Sequence, residues 1–295
     1  MSNGGGVPAS SLVTIARLVR ADIIKLSRYW VVAVGYVAML IIAIPGAVLF
    51  HMGEQFINVT SESGYAFAFG LMVRCLDFSS SILFMMMCLL FSIDVANGAV
   101  KYILTRPVTR LELLVSKYAT ATLMIALTLA LLWVSCLGMG WYYYGLGALT
   151  ENDYVIFEAG TLFRHIGIAT VFLALSLGAS ASMAIAVSSY SSTMGGAIIV
   201  GLVLRGFVSA LTVMPAALGF ELSWGQETYH FAWSSLAFTS QLFVPMYVLD
   251  DLPTGIPIES WWSWDITRMV IVSLVYGVFF FALAARKVAR RDFAL

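Results

Sequence analysis

Charged residues are scarce in this 295-residue chain: Asp, Glu, Lys and Arg make up 11% of it, against about a quarter of a typical soluble domain. Hydrophobic residues make up 61%, and the mean hydropathy is +0.92. A soluble fold of this length could not bury so much apolar surface, so the composition excludes an ordinary soluble protein. The net charge is zero, which argues against a nucleic-acid partner.

Side chains that usually carry metal, redox or phosphate chemistry are also few. Cys75, Cys88 and Cys136 lie in or beside apolar runs without Cys-x-x-Cys spacing, so they indicate packing and neither a metal site nor a disulfide framework. No G-x4-G-K-[ST] phosphate loop occurs, so the usual backbone cradle for ATP is missing. We therefore predict no catalytic residue, no metal and no cofactor on this chain.

Long apolar stretches are what the sequence does contain. A membrane-spanning helix needs about 20 mainly apolar residues, and six stretches meet or approach that length, so we predict an all-α integral membrane protein. The predicted spans are Trp30 to Phe50, Phe67 to Ile93, Tyr118 to Tyr142, Ile166 to Val187, Gly195 to Val213 and Met269 to Ala285. We expect residues 1–11, rich in Gly and Ser, to be disordered, and 12–295 to form one transmembrane domain.

Basic residues predict the orientation, because Lys and Arg are retained on the cytoplasmic side of short loops. Twelve of the 16 basic residues fall before span one, between spans two and three, or after span six. Eleven of the 16 acidic residues fall on the opposite side. We therefore expect both termini in the cytoplasm and the protein in the plasma (inner) membrane.

Residues 12–28 have the pattern of an amphipathic helix. Apolar residues recur at helical spacing and the basic residues fall on the other face. This favours a helix lying in the membrane interface; the alternative is a basic flank that serves only topology. The basic residues are Arg17, Arg20, Lys25 and Arg28.

The cytoplasmic connection 94–117 predicts a hairpin. Pro107 should end any helix through 100–105, and Thr109 with Glu112 forms a capping box that should start the third helix before the bilayer. Such a hairpin can receive a push from a soluble partner or contact lipid head groups, and the residues alone leave both readings open.

The outer segment 214–266 is rich in tryptophan and interrupted by prolines, which predicts short interfacial or re-entrant helices that cap a pathway below. Arg205 lies either within span five, where it would face a carboxylate or a water-filled path, or at the outer interface, where it would snorkel. Arg74 and Asp77 share one helical face and predict an ion pair or a substrate contact. These three residues are the candidates for a translocation path.

The connection resembles the permease subunits of type-2 ABC exporters, which carry an acidic residue, a Gly, a Leu-Ser-x-Pro-x-Ser-Arg core and a trailing Lys. Asp94 stands where Glu is usual, and Thr105 and Thr109 stand where Ser is usual. The closing 290–293 stretch, Arg-Arg-Asp-Phe, and the order of the spans are also similar to that family.

The resemblance implies a dimer of permeases, or one permease with a related chain, whose 94–117 hairpin couples to a separate cytoplasmic ABC ATPase that binds ATP and Mg. An accessory protein on the outer side is a further candidate partner, beside the lipid bilayer. The candidate coupling residues are Asp94, Gly98, Lys101, Arg106, Pro107, Thr109, Arg110, Glu112 and Lys117.

Three other functions remain as alternatives. A secondary transporter should show internal repeats and paired intramembrane carboxylates, and a membrane enzyme should gather titratable groups at one depth; neither pattern is convincing here. A membrane anchor for a soluble complex would carry the same basic hairpin, so the sequence does not exclude it.

Overall fold

The computed structural model describes residues 11–57, 63–99, 108–151, 154–217 and 264–290. In these ranges it contains seven α-helices and one small β-hairpin. The helices are α1 Ser11–Arg28, α2 Trp30–Ile57, α3 Gly64–Ala96, α4 Arg110–Tyr144, α5 Ala159–Tyr190, α6 Met194–Ala217 and α7 Trp264–Arg290. The strands are β1 Leu149–Glu151 and β2 Tyr154–Phe157, which pair antiparallel.

Five of these helices are long and apolar enough to cross a membrane: α2 as far as Gly53, α3, α4, α5, and α7 from Ile266. The shortest of the five stretches has 24 residues, or about 36 Å, which exceeds the roughly 30 Å hydrocarbon core. The protein is therefore a helical, multi-pass membrane protein. Within α6 the structure gives a shorter apolar stretch, Met194–Val208, so the count of six spans stays a prediction.

Helix α3 is the centre of the bundle. It packs against α2, α4, α5 and α6, and its Phe67, Phe69, Phe84 and Phe91 are fully buried. Outside it, α5 and α7 pack along each other, with Ser176 Oγ 3.3 Å from Ser273 Oγ. Helix α1 packs chiefly against α4 and only slightly against its sequence neighbour α2.

One predicted helix boundary is confirmed at the predicted cytoplasmic connection, and the structure adds a second. Thr109 Oγ1 accepts from the Glu112 N–H at 3.2 Å, and Glu112 accepts from the Thr109 N–H at 2.8 Å, so the capping box starts α4 well before the predicted span. Gly98 follows the end of α3 with φ of 65°, a left-handed geometry that favours glycine. Outside the described residues lie residues 1–10, the predicted helix at 100–105, residues 218–263 of the predicted outer segment 214–266, and the closing 291–295.

The β-hairpin between α4 and α5 was not predicted. Its strands have three and four residues, which is too short for an alternating pattern to be recognised in a sequence. The all-α class stands, since the hairpin is a small addition to a helical bundle.

Glycines set the contact between α3 and α4 near the predicted outer side. The Gly64 N–H donates to the Gly145 carbonyl at 3.0 Å. A Cβ on Gly140 would lie 2.2 Å from the Gly64 carbonyl oxygen, closer than real atoms approach. Nearby, Tyr144 and His51 join α4 to α2 through a 2.9 Å hydrogen bond.

We predict that Gly140→Ala lowers the free energy of unfolding by about 1–3 kcal/mol, because two backbones would have to separate. The measurement is the thermal unfolding midpoint in a mild detergent. Gly138→Ala is the matched control, since a Cβ there meets nothing within 4 Å. Equal midpoints for the two variants would contradict this helix contact.

Candidate functional site

Four charged side chains from three helices meet at the predicted cytoplasmic side, and we call Asp22, Lys25, Asp94 and Lys117 the inner charge cluster. Lys117 Nζ lies 2.7 Å from Asp22 Oδ1 and also pairs with Asp94 Oδ2. Lys25 Nζ pairs with Asp94 Oδ1 and lies 3.3 Å from Asp22 Oδ1. Two carboxylates and two ammonium groups thus neutralise one another.

The inner charge cluster is largely shielded from water. The side chains of Asp94 and Lys117 are 1% exposed, and that of Asp22 is 8% exposed. Ions buried to this degree persist only when they are paired and hydrogen-bonded. For Lys25, burial alone would lower the pKa, but attraction to and hydrogen bonds with Asp94 and Asp22 raise the pKa above its ordinary value. The two carboxylates therefore hold Lys25 in its charged form.

Local structure explains how the cluster forms. Asp22 and Lys25 are one turn apart on the face of α1 that meets α4. Asp94 is in the last turn of α3, while the capping box starts α4 early enough to put Lys117 about two turns inside it. The cluster therefore joins α1 to both helices that flank the connection between Asn97 and Thr109.

The start of α4 makes two further contacts with helix ends. The Arg110 Nη1 donates to the carbonyl oxygens of Val288, at 3.3 Å, and Ala289 in the last turn of α7. A cation at a helix C-terminus satisfies carbonyls that lack intrahelical partners. The Ser11 hydroxyl at the start of α1 interacts with Glu112. The first turn of α4 is thus tied to both α1 and α7.

The structure distributes the predicted coupling residues among different surroundings. Asp94 and Lys117 belong to the buried cluster and present almost no surface to a soluble partner. Gly98, Thr109 and Glu112 are at the surface or partly exposed, and Arg110 is half-buried. Lys101, Arg106 and Pro107 lie outside the described residues. Their role in coupling stays a prediction.

Sequence reasoning missed Asp22 and put Lys25 on the polar face of α1. Asp22 is the only acidic residue in α1, and a lone carboxylate in a basic helix, one turn before a lysine, was the available signal. The apolar face of α1 is also divided: Leu26 is buried against the bundle, whereas Leu12 is 78% and Ile23 45% exposed.

A second group of polar residues lies near the middle of the bundle, around Arg205 of α6. Arg205 is 6% exposed; it donates to Ser80 Oγ of α3 at 2.8 Å and to Ser180 Oγ of α5 at 3.3 Å. Its Cζ lies 5.5 Å from the centroid of the Phe84 ring. Arg205 is about 16 Å along α6 from Met194. The structure therefore shows Arg205 buried in the bundle on two serine hydroxyls; its place in a translocation path stays a prediction.

Arg74 and Asp77 do not form the predicted ion pair: within the described parts of the chain, no Arg74–Asp77 contact is short enough for one. Arg74 extends along α3 towards its N-terminus instead, with its Cζ 3.9 Å above the Phe50 ring and its Nη1 donating to the Gly70 carbonyl at 3.3 Å. Asp77 interacts electrostatically with Arg205. Both residues are exposed on the bundle surface.

Metal ligands are not grouped in the described ranges, where three or more His, Cys, Asp or Glu residues nowhere come together to hold an ion.

A family model described as "ABC-2 family transporter protein" matches residues 18–205. The match begins within α1, contains all of α2 to α5, and ends at Arg205. Among curated proteins, no sequence matches this chain significantly.

We predict that Lys117→Met lowers the free energy of unfolding by about 3–5 kcal/mol, because it leaves two buried carboxylates with one lysine. Adding Asp94→Asn restores the charge balance. The loss in free energy of unfolding of the double variant should therefore be smaller than the summed losses of the two single variants, by more than about 1 kcal/mol. Thermal unfolding in detergent measures both quantities.

The control for this cycle is Arg20→Met, an exposed position on α1 that should leave the unfolding midpoint nearly unchanged. Strictly additive losses for Lys117→Met and Asp94→Asn would show that the two residues do not stabilise each other.

Proposed function

The chain belongs to the ABC-2 family of transporter proteins, and on that basis we propose that it is the permease of an ATP-driven exporter that takes its energy through the 94–117 connection. Two copies, or one copy with a related chain, form the translocation path. A separate cytoplasmic ATPase subunit binds ATP and Mg and docks on the connection. Family membership supports the permease role itself.

The observation that carries this proposal is the inner charge cluster. It ties both flanks of the connection, at Asp94 and Lys117, to α1. Pulling one of these helices away would take at least one partner from a buried ion, which costs several kcal/mol. A displacement of the connection therefore moves α1, α3 and α4 as one unit.

The same unit reaches the rest of the bundle. Arg110 holds the end of α7, and α3 packs directly against α6, the helix that carries Arg205. A force at the connection is thus passed to helices on both sides of α3. ATP can drive such a shift only by binding two states with different affinity, so the contact between ATPase and connection is where the energy enters the membrane.

The proposed topology has six spans, of which α6 is the fifth, and it places both termini in the cytoplasm, with the protein in the inner membrane. The charge pattern supports it. Basic residues gather where α1, the start of α4 and the end of α7 meet. Exposed Leu12 and Ile23 beside the basic residues of α1 fit a helix lying in the membrane interface.

The absence of a phosphate loop from the sequence supports the part of the proposal in which another chain binds ATP. A secondary transporter would need no such partner. A membrane anchor for a soluble complex would bind that complex without any effect on ATP hydrolysis. The experiment that tests the proposal therefore has to detect both the partner and its dependence on the connection.

We predict that a tagged chain, purified in mild detergent, brings with it an ATPase subunit whose sequence contains a phosphate loop. The double variant Lys101→Glu/Arg106→Glu should reduce its recovery about tenfold or more, because reversed charges oppose association at an interface. Mass spectrometry identifies the subunit and ATP hydrolysis in the eluate quantifies it. Arg110 is avoided, since its loss would free the end of α7.

The matched control is Arg286→Glu/Arg290→Glu, which makes the same change of charge on exposed residues of α7. It should keep the ATPase bound. Equal recovery from both double variants would contradict docking on the connection, and a stable chain without any ATPase would favour the secondary transporter.

A further inference from the structure

The exposed charges of α3 lie at a depth where a lipid-facing surface should have none. The depth of these charges follows from the alignment of α3 with α2. Gly35 of α2 lies against Met86 of α3, and Gly46 of α2 lies against Cys75 of α3. The middle of the apolar part of α2, Trp30–Gly53, is therefore level with about Ser80. At about 1.5 Å per residue, Asp77 lies about 5 Å and Arg74 about 9 Å from that level.

Together with Arg205, which bonds to Ser80 itself, these residues form a series that rises from the middle of the membrane to its outer side. We call Arg205, Asp77 and Arg74 the charge ladder. The Ser80 hydroxyl links its lower steps, since it accepts from Arg205 and donates to the Asp77 carbonyl at 2.8 Å.

Lipid cannot cover this ladder at low cost. Arg74 can extend outwards, but the short Asp77 side chain cannot reach the interface, because a level about 5 Å from the middle of a roughly 30 Å hydrocarbon core is about 10 Å below its surface. An ionised residue near the centre of a bilayer is costly unless it faces a water-filled path or a partner group. The exposure of Asp77 and Arg74 therefore indicates a polar path on this face of α3.

We propose that the charge ladder binds the anionic group, a carboxylate or a phosphate, of an amphiphilic substrate and leads it outwards. This inference rests on the proposed function and names the class of substrate. The ladder carries two guanidinium groups and one carboxylate, so its net charge is positive and complements an anion. Guanidinium groups also match carboxylate and phosphate geometry.

The surroundings of the ladder suit the apolar part of such a substrate. Phe78, adjacent to Asp77, is 62% exposed, and the Phe50 ring lies under the Arg74 guanidinium. Stacking on Phe50 holds Arg74 in place, while the described residues accept only one hydrogen bond from its five N–H donors. The remaining donors can bind an anion without a change of side-chain conformation.

The test measures binding of a probe to the purified full chain in phosphatidylcholine nanodiscs. The probe is dansyl-labelled undecanoic acid, and its neutral primary amide is the matched ligand; empty nanodiscs give the lipid background. We expect the acid to bind more tightly than the amide. Arg205→Gln and Arg74→Gln should each weaken the acid about tenfold and leave the amide unchanged. Asp77→Asn should strengthen binding of the acid several-fold, because it removes a like charge.

Arg164→Gln is the control, since it removes an exposed arginine from the outer part of α5, away from the ladder. Its affinity for the acid should match that of the unaltered chain. Because Arg74 is exposed, Arg74→Gln keeps the test valid if Arg205→Gln does not fold.

Equal affinity for acid and amide overturns the proposal, as does an unchanged affinity for the acid in Arg74→Gln and Arg205→Gln. An equal loss in Arg164→Gln also overturns it, because the effect would then be general surface charge. ATPase recovery is measured on the same variants, so failure here is distinguishable from failure of the proposed function.

Discussion

Mutual neutralisation of four ions, three of them buried, is the constraint on which the predicted cytoplasmic side of this protein depends. Asp94 and Lys117 are almost inaccessible to water, so separating them would take one of two partners from each buried ion, which is costly. The capping box that starts α4 early and the glycine that ends α3 both serve this arrangement, because they bring the two flanks of the connection to the same place. The amphipathic α1 completes it by contributing one charge of each sign.

Helix α3 connects this constraint to the candidate path. Its last turn carries Asp94, and its middle carries Asp77 and Ser80, which is hydrogen-bonded to Arg205 of α6. The contacts along it are tight: a Cβ on Gly35 of α2 would lie 2.7 Å from Met86 Sδ, and one on Gly201 of α6 would lie 2.7 Å from Cys88 Sγ. A helix packed this closely transmits a displacement along its length, since its neighbours leave little room for local adjustment.

The sequence predicted those features that depend on neighbouring residues. Apolar runs located the long helices, and Thr109 with Glu112 located the start of α4, because hydropathy and capping act within a few residues. The inner charge cluster was not predicted, since Asp22 and Lys117 are 95 residues apart and meet only through the packing of α1 on α4. The same reason explains why Arg74 and Asp77 were expected to pair. Their spacing is visible in the sequence, but the contact of Arg74 with Phe50 and the attraction of Asp77 to Arg205 arise only from the fold.

The two charged groups differ in a way that separates structure from function. The inner charge cluster has no net charge, is shielded from water and pairs every ion at close range, so any change of partner is costly. The charge ladder has a net positive charge, and two of its three members are exposed at membrane depth without a close ion pair among the described residues. A group of the first kind holds helices in fixed relation. A group of the second kind is stabilised only when something else supplies the missing negative charge, and that requirement is what a binding site for a passing anion has to meet.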